Sequence, residues 1–165
     1  MELTLQGPID LGRRSDIRVA DRVISILRSE GQSVELLHHE DSHGDDRRIR
    51  CNGQDVSIQV VSVPTAPDFI RDASRGSANT VVSLSDAAGW INEAVTLKAG
   101  HYSTAAKAQM LLAVDVRAVG VLASPPVVAA VEQRFGDPCA THGFGAVWLV
   151  GPLESHSTRF SGSRW

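Results

Sequence analysis

The sequence predicts a mixed α/β domain, one sheet with helices on both faces, and three observations carry that reading. Amphipathic helical stretches alternate with extended ones along the chain. Asn52-Gly53 stands between two extended runs as a tight-hairpin signal. Residues 110–116 and 146–150 are short apolar runs, the first broken only by Asp115, of the kind that form strands covered on both faces.

The elements follow in order. Ser15 or Asp16 can cap a helix whose apolar positions Ile17, Val19, Ala20, Val23, Ile24 and Leu27 recur at spacings of three and four, with Gly31 after its last turn. Residues 34–38, 48–51 and 55–63 then read as a three-strand meander that Pro64 and Pro67 end. Ser85 or Asp86 opens a second helix through Trp90, Ile91, Ala94, Val95 and Leu97 that closes near Gly100. After the apolar strand at 110–116, Ser124-Pro125-Pro126 starts a third helix, with Val127, Val128, Val131 and Phe135 inward, and Gly136-Asp137-Pro138 stops it. The Gly143-Phe144-Gly145 step reads as a turn before the last strand, because the third glycine and following helix of a dinucleotide fingerprint are missing.

Composition narrows the class. A chain of 165 residues is one domain's worth, and such a chain buries roughly 70% of its unfolded surface without staples. A single domain over 1–165 is expected, with its core at about 16–150, a loose N-terminal arm punctuated by Gly7-Pro8, and a loose Ser-, Gly- and Arg-rich tail from 155 to 165. The net charge of −3 gives no global attraction to nucleic acid or to a membrane, so any basic contact surface must be local. Cys51 and Cys139 match no metal or redox spacing and read as buried free thiols of a reducing compartment. No run reaches the roughly 20 apolar residues of a membrane helix, and the start has no basic leader, so a cytoplasmic protein without a membrane partner is expected.

Chemistry concentrates on the hairpin. Across a two-residue turn at Asn52-Gly53, Asp46 faces Gln59, Arg48 faces Ser57 and Arg50 faces Asp55, all on one sheet face, while Val56, Ile58 and Val60 form the core face. Acid, amide and guanidinium groups therefore share a surface, which is either a solvated face of cross-strand ion pairs or a metal or phosphate site. The run His38, His39, Glu40, Asp41, His43, Asp45 and Asp46 is rich in metal-capable groups, but neighbours on a strand point to opposite faces, and a solvated polar loop is the plainer reading. Arg13, Arg14, Arg18, Arg71 and Arg75 are cations able to meet phosphate, or ordinary surface arginines. Trp90 and Trp148 read as core residues.

The order helix, three-strand meander, helix, strand, with Asp46 and the strand segment Ser57-Ile58-Gln59-Val60-Val61, resembles the core of the PD-(D/E)XK nuclease superfamily over about residues 16–150. The segment from Ile91 through Tyr102 and the following Met110-Leu111-Leu112-Ala113-Val114 are similar to the helix and strand after the site in that family. The resemblance implies a restriction-endonuclease-like αβββαβ core. It lays Asp46 on the family's first acid, Ser57 on its second and Gln59 on its lysine. Serine replaces a carboxylate, so the implied protein is catalytically degenerate and works as a nucleic-acid-associated or assembly subunit.

The alternative implied is an active phosphodiester hydrolase. In it Asp46, Asp55 and Glu35 would hold Mg²⁺, needed only in that case, Gln59 would position water, and Arg48, Arg50 and Lys98 would meet DNA or RNA. Protein subunits of a larger assembly, or further copies of the chain, are the other expected partners. A third reading is an unrelated small α/β binding protein.

Overall fold

The computed structural model describes residues 13–37, 46–63, 83–117 and 122–165. In chain order they form α1 (Arg13–Ser29), β1 (Val34–Leu36), β2 (Arg47–Cys51), β3 (Gln54–Ser62), α2 (Leu84–Ala99), α3 (Thr104–Ala108), β4 (Met110–Asp115), α4 (Pro125–Phe135), α5 (Pro138–His142), β5 (Ala146–Val150), a 3₁₀ turn (Glu154–His156) and β6 (Thr158–Arg159). The strands make one mixed sheet in the order β1-β2-β3-β4-β5-β6. β1, β2 and β3 run antiparallel as a meander, β3, β4 and β5 run parallel, and β6 returns antiparallel. The mixed α/β class expected from the sequence is thus the class observed. None of the described helices is long and apolar enough to cross a membrane.

Strand alternation divides the core into two layers. Val56, Ile58 and Val60 of β3, Leu111 and Ala113 of β4 and Ala146, Trp148 and Val150 of β5 face α1, whose Val19, Ala20, Val23, Ile24 and Leu27 close over them. Leu112 and Val114 of β4 and Val147 and Leu149 of β5 face the other way, against α2, α4 and α5. Continuous burial of both faces is why β5 is wholly apolar and β4 is apolar up to its last residue, Asp115.

Local chemistry sets the boundaries. Asn52 (φ 49°) and Gly53 (φ 84°) both adopt the left-handed backbone that a two-residue hairpin turn requires. The Ser83 hydroxyl caps α2 by accepting from the Asp86 N–H, one residue pair earlier than expected, and the helix ends at Gly100. Pro125 and Pro126 open α4 and Gly136 closes it. The sequence reading missed three elements there: the five-residue α3, capped by Ser103, the five-residue α5, capped by Asp137, and the two-residue β6. Both cysteines are buried free thiols, as expected, and burial pushes Cys139 up to about 11.

The tail expected to be loose is docked instead. Phe160 and Trp165 are buried, the Phe160 N–H donates to the Val147 carbonyl at 3.0 Å, and the Arg164 N–H donates to the Gly145 carbonyl at 2.9 Å. The Ser163 hydroxyl both donates to and accepts from the Val147 backbone, each at 3.1 Å. Trp165 fills the α1-side layer, and its carbonyl accepts from the Trp148 indole N–H at 2.7 Å. Polar composition misled the sequence reading because the tail satisfies its backbone along β5 and needs only two aromatic side chains to hold it. Glycine at 145 permits this docking, since a Cβ there would stand 2.3 Å from the Trp165 ring and 2.7 Å from the Ala108 carbonyl oxygen. Gly145→Ala is expected to lower stability by about 1–3 kcal/mol, read as a lower urea midpoint with an unchanged slope. An unchanged midpoint would contradict the docked tail.

Candidate functional site

The hairpin register places the expected residues in two separate groups. The β2–β3 ladder runs from Arg47 opposite Ile58 to Cys51 opposite Gln54, so Arg48 faces Ser57 and Arg50 faces Asp55, as the Asn52-Gly53 turn dictates. β1 adds Glu35 opposite Arg50. At the turn end of the sheet, Arg50 therefore bridges two acids, with its Nε 2.9 Å from Asp55 Oδ1 and its Nη1 3.8 Å from Glu35 Oε2. This is a solvent-facing ion-pair ladder, with the Asp55 and Glu35 side chains 49% and 67% exposed.

Asp46 lies at the other end. It has left the ladder: its N–H donates to the Ile58 carbonyl at 3.1 Å, and its carboxylate Oδ2 accepts the Val60 N–H at 2.8 Å. The side chain thus takes the place of a strand carbonyl at the point where β2 begins. Asp55 precedes Gln59 by four residues, about 13 Å along an extended strand. Asp55 and Glu35 are therefore corrected from metal ligands beside Asp46 to partners of Arg50. Arg50 is corrected from a phosphate contact to an already paired cation.

Gln59 is also not where a water-positioning residue would be. It is 2% exposed, and its Oε1 accepts the Tyr102 hydroxyl at 3.0 Å. Tyr102 follows α2, and the Lys98 ammonium lies 6.0 Å from its ring centroid. Lys98, Tyr102 and Gln59 thus form a chain of contacts from α2 to β3, and Asp46 meets β3 one residue further on, at the Val60 N–H. Arg48 is half-buried beside this chain, opposite Ser57, and forms no ion pair among the described residues.

Three residues that sequence reasoning did not assign to a site complete the cluster. Asp16 stands in the first turn of α1, close enough to feel the charges of Asp46, Asp115, Lys98 and Arg117. Burial raises its carboxyl above the ordinary 3.8, Asp46 and Asp115 raise it further, and Lys98 and Arg117 oppose them. Asp115, at the carboxyl end of β4, is held by Arg117 through two contacts of 2.9 Å, and Arg117 also donates to the buried Ser15 hydroxyl. Asp16 was legible only as a helix cap, because its proximity to Asp46 and Asp115 depends on where α1 crosses the sheet. Asp115 marks the carboxyl end of β4, the edge where open α/β sheets hold ligands, while Gln59 lies opposite Leu112 in the middle of that strand.

No set of three or more His, Cys, Asp or Glu side chains able to hold a metal occurs among the described residues. The histidine-rich run from His38 to Asp45 lies outside them, as do Arg71 and Arg75 and the side chains of Arg13 and Arg14. Arg18 is exposed on α1, Trp148 is a core residue at 1% exposure, and Trp90 packs half-buried against the α2-side core. Compared with family models, with curated proteins and with solved structures, the chain gives no match in any of the three. The site's own groups therefore carry its interpretation.

A raised carboxyl in the folded state means that the folded protein holds its proton more tightly than the unfolded chain. Asp16 therefore costs stability as pH rises from the ordinary 3.8 through its folded value, and the full cost persists at neutral pH. Asp16→Asn removes that dependence. Thermal melts from pH 3 to pH 7 are expected to show the variant gaining on the parent as pH rises, and a constant difference would contradict the acid cluster.

Proposed function

We propose that the chain is a restriction-endonuclease-like domain of the PD-(D/E)XK type that has lost its cutting chemistry and serves as a nucleic-acid-binding subunit in a reducing, cytoplasmic setting. The observation that carries this reading is Gln59, which stands at the family's lysine position yet is buried and hydrogen-bonded to Tyr102. An amide carries no positive charge. Ser57 beside it offers a neutral hydroxyl where a second acid would stand, and Asp55, the nearest substitute on the strand, is paired with Arg50. The α1, meander, α2, β4 order, with β3 parallel to β4, supports the same assignment.

Binding would rest on two cations. Arg48, on the face of Ser57 and Gln59, and Lys98, over Tyr102, offer charge beside hydroxyl donors, a surface suited to the phosphates of DNA or RNA. Contacts of this type hold backbone without reading sequence. Arg50 contributes little because Glu35 and Asp55 neutralise it.

A second reading, a metal-dependent nuclease, is favoured by one observation: the Asp46 charge reaches Asp16. Asp16 and Asp46 are the residues that would hold Mg²⁺, a hard cation that needs only one or two carboxylates beside substrate phosphate and water. When bound, the chemistry such an ion supplies is activation of water and neutralisation of phosphate charge. Lys98 would then stand in for the charge that Gln59 lacks.

Fluorescence anisotropy with labelled single- and double-stranded DNA and RNA, across a salt series with and without Mg²⁺ or Mn²⁺, tests both readings. The parent is expected to bind without cutting. The Arg48→Ala, Lys98→Ala double variant should bind at least about tenfold more weakly, with its salt slope reduced by roughly 2. Arg50→Ala should bind as the parent does. Metal-dependent cleavage that Asp46→Ala abolishes would overturn the first reading in favour of the second, and absence of binding would overturn both.

A further inference from the structure

The outer face of α1 carries an arrangement that the nucleic-acid site does not use. A depression of about 200 Å³ lies between α1 and the edge strand β1, lined by Asp21, Ile24, Ser25, Arg28 and Leu36. Leu36 is an aliphatic side chain 50% exposed at its rim, Ile24 is buried at 5% exposure, and the other three are exposed polar residues of one helix stripe. Half-exposed leucine beside a shallow depression is an unsatisfied apolar contact.

Charge along this stripe is self-complementary. Asp21 and Arg28 are seven residues apart, two helical turns or about 10.5 Å, and lie on the same side of α1. When two copies of α1 meet antiparallel about a two-fold axis between Ile24 and Ser25, Asp21 of each copy meets the partner's Arg28. The pairing occurs twice by symmetry. Ser25 at the crossing donates its hydroxyl to the exposed Glu154 carboxylate, so Glu154 lines the crossing as well, and Leu36 of each copy faces the partner's depression. Both oxygens of the Asp21 carboxylate already accept from Arg47, at 2.8 and 3.3 Å, and the side chain remains 51% exposed, so the partner's Arg28 would join as a second cation on a shared carboxylate.

Joining the sheets through β1 is the less favourable geometry. The Arg28 guanidinium donates to the Val34 carbonyl at 3.2 Å and so covers part of the open strand edge. A two-fold pairing centred on β1 would also set Glu35 against its own copy, a like-charge contact.

We propose that the α1–β1 face is an isologous interface between two copies of this chain, held by reciprocal Asp21–Arg28 pairs around Leu36. The patch is small, so the dimer is a weak one whose population depends on concentration.

Sedimentation velocity on the full chain over a concentration series tests it. The parent is expected to show a monomer–dimer equilibrium that added salt weakens. Arg28→Asp and Leu36→Asp, each confirmed as folded by its thermal melt, are expected to stay monomeric, with Leu36→Ser as a milder second variant at the apolar position. Asp21→Arg is likewise expected to be monomeric alone. An equimolar mixture of Asp21→Arg and Arg28→Asp should recover a dimer, because each acidic pair then meets a basic pair. A parent that is monomeric throughout, a folded Arg28→Asp or Leu36→Asp that dimerises like the parent, or a mixture that stays monomeric would each overturn the interface.

Discussion

The register of the β2–β3 hairpin is the constraint on which the rest of the molecule depends. Asn52 and Gly53 both sit in left-handed backbone, so the turn admits two residues and the ladder can pair in only one way. A slip of one residue would turn Ile49, Cys51, Val56, Ile58 and Val60 away from α1 and send Arg48, Arg50, Asp55 and Ser57 into the core. The cost of burying those charges fixes the pairing. From that single turn follow both the apolar floor beneath α1 and the polar face that meets α2.

The same register separates the polar groups by length along the strand. Arg50 collects Asp55 and Glu35 near the turn, while Asp46, Gln59, Tyr102 and Lys98 gather where β2 begins, with Asp16 and Asp115 arriving from α1 and β4. The first group is solvated, with one cation set between two acids. The second is partly buried, carries acids from three separate chain segments and borders Lys98 of α2 and Arg117 just after β4, which is the pattern that perturbs protonation and attracts charged ligands. A strand with an acid near its start and an amide at its middle can therefore look like a metal-binding motif in sequence and be two unrelated pieces of electrostatics in space.

Much of the fold was legible because it rests on periodicity and turn chemistry. The spacing of Val19, Val23 and Leu27 marked α1, the apolar runs marked β4 and β5, and Asn52-Gly53 marked the register down to Arg48–Ser57 and Arg50–Asp55. The short helices α3 and α5 were missed because five residues carry no period, although Ser103 and Asp137 cap them. The docked tail was missed because its hydrogen bonds go to β5, a partner that local composition cannot reveal. At the site, Asp46 was found from the strand pattern, but its departure from the ladder to bond Val60 was not. Asp16 and Tyr102 belong to the cluster only through tertiary crossing, and Asp55 was misassigned because sharing a face was taken as sharing a site.

The working surface we propose lies at the Asp46 end of the hairpin, not at the Asp55 end. Backbone amide NMR during titration with a short oligonucleotide tests this most directly. Shifts are expected to concentrate at residues 46–48, 57–60 and 98–102, with residues 35, 50 and 55 unmoved. Shifts centred on Glu35, Arg50 and Asp55, with the Lys98–Tyr102 segment silent, would contradict it.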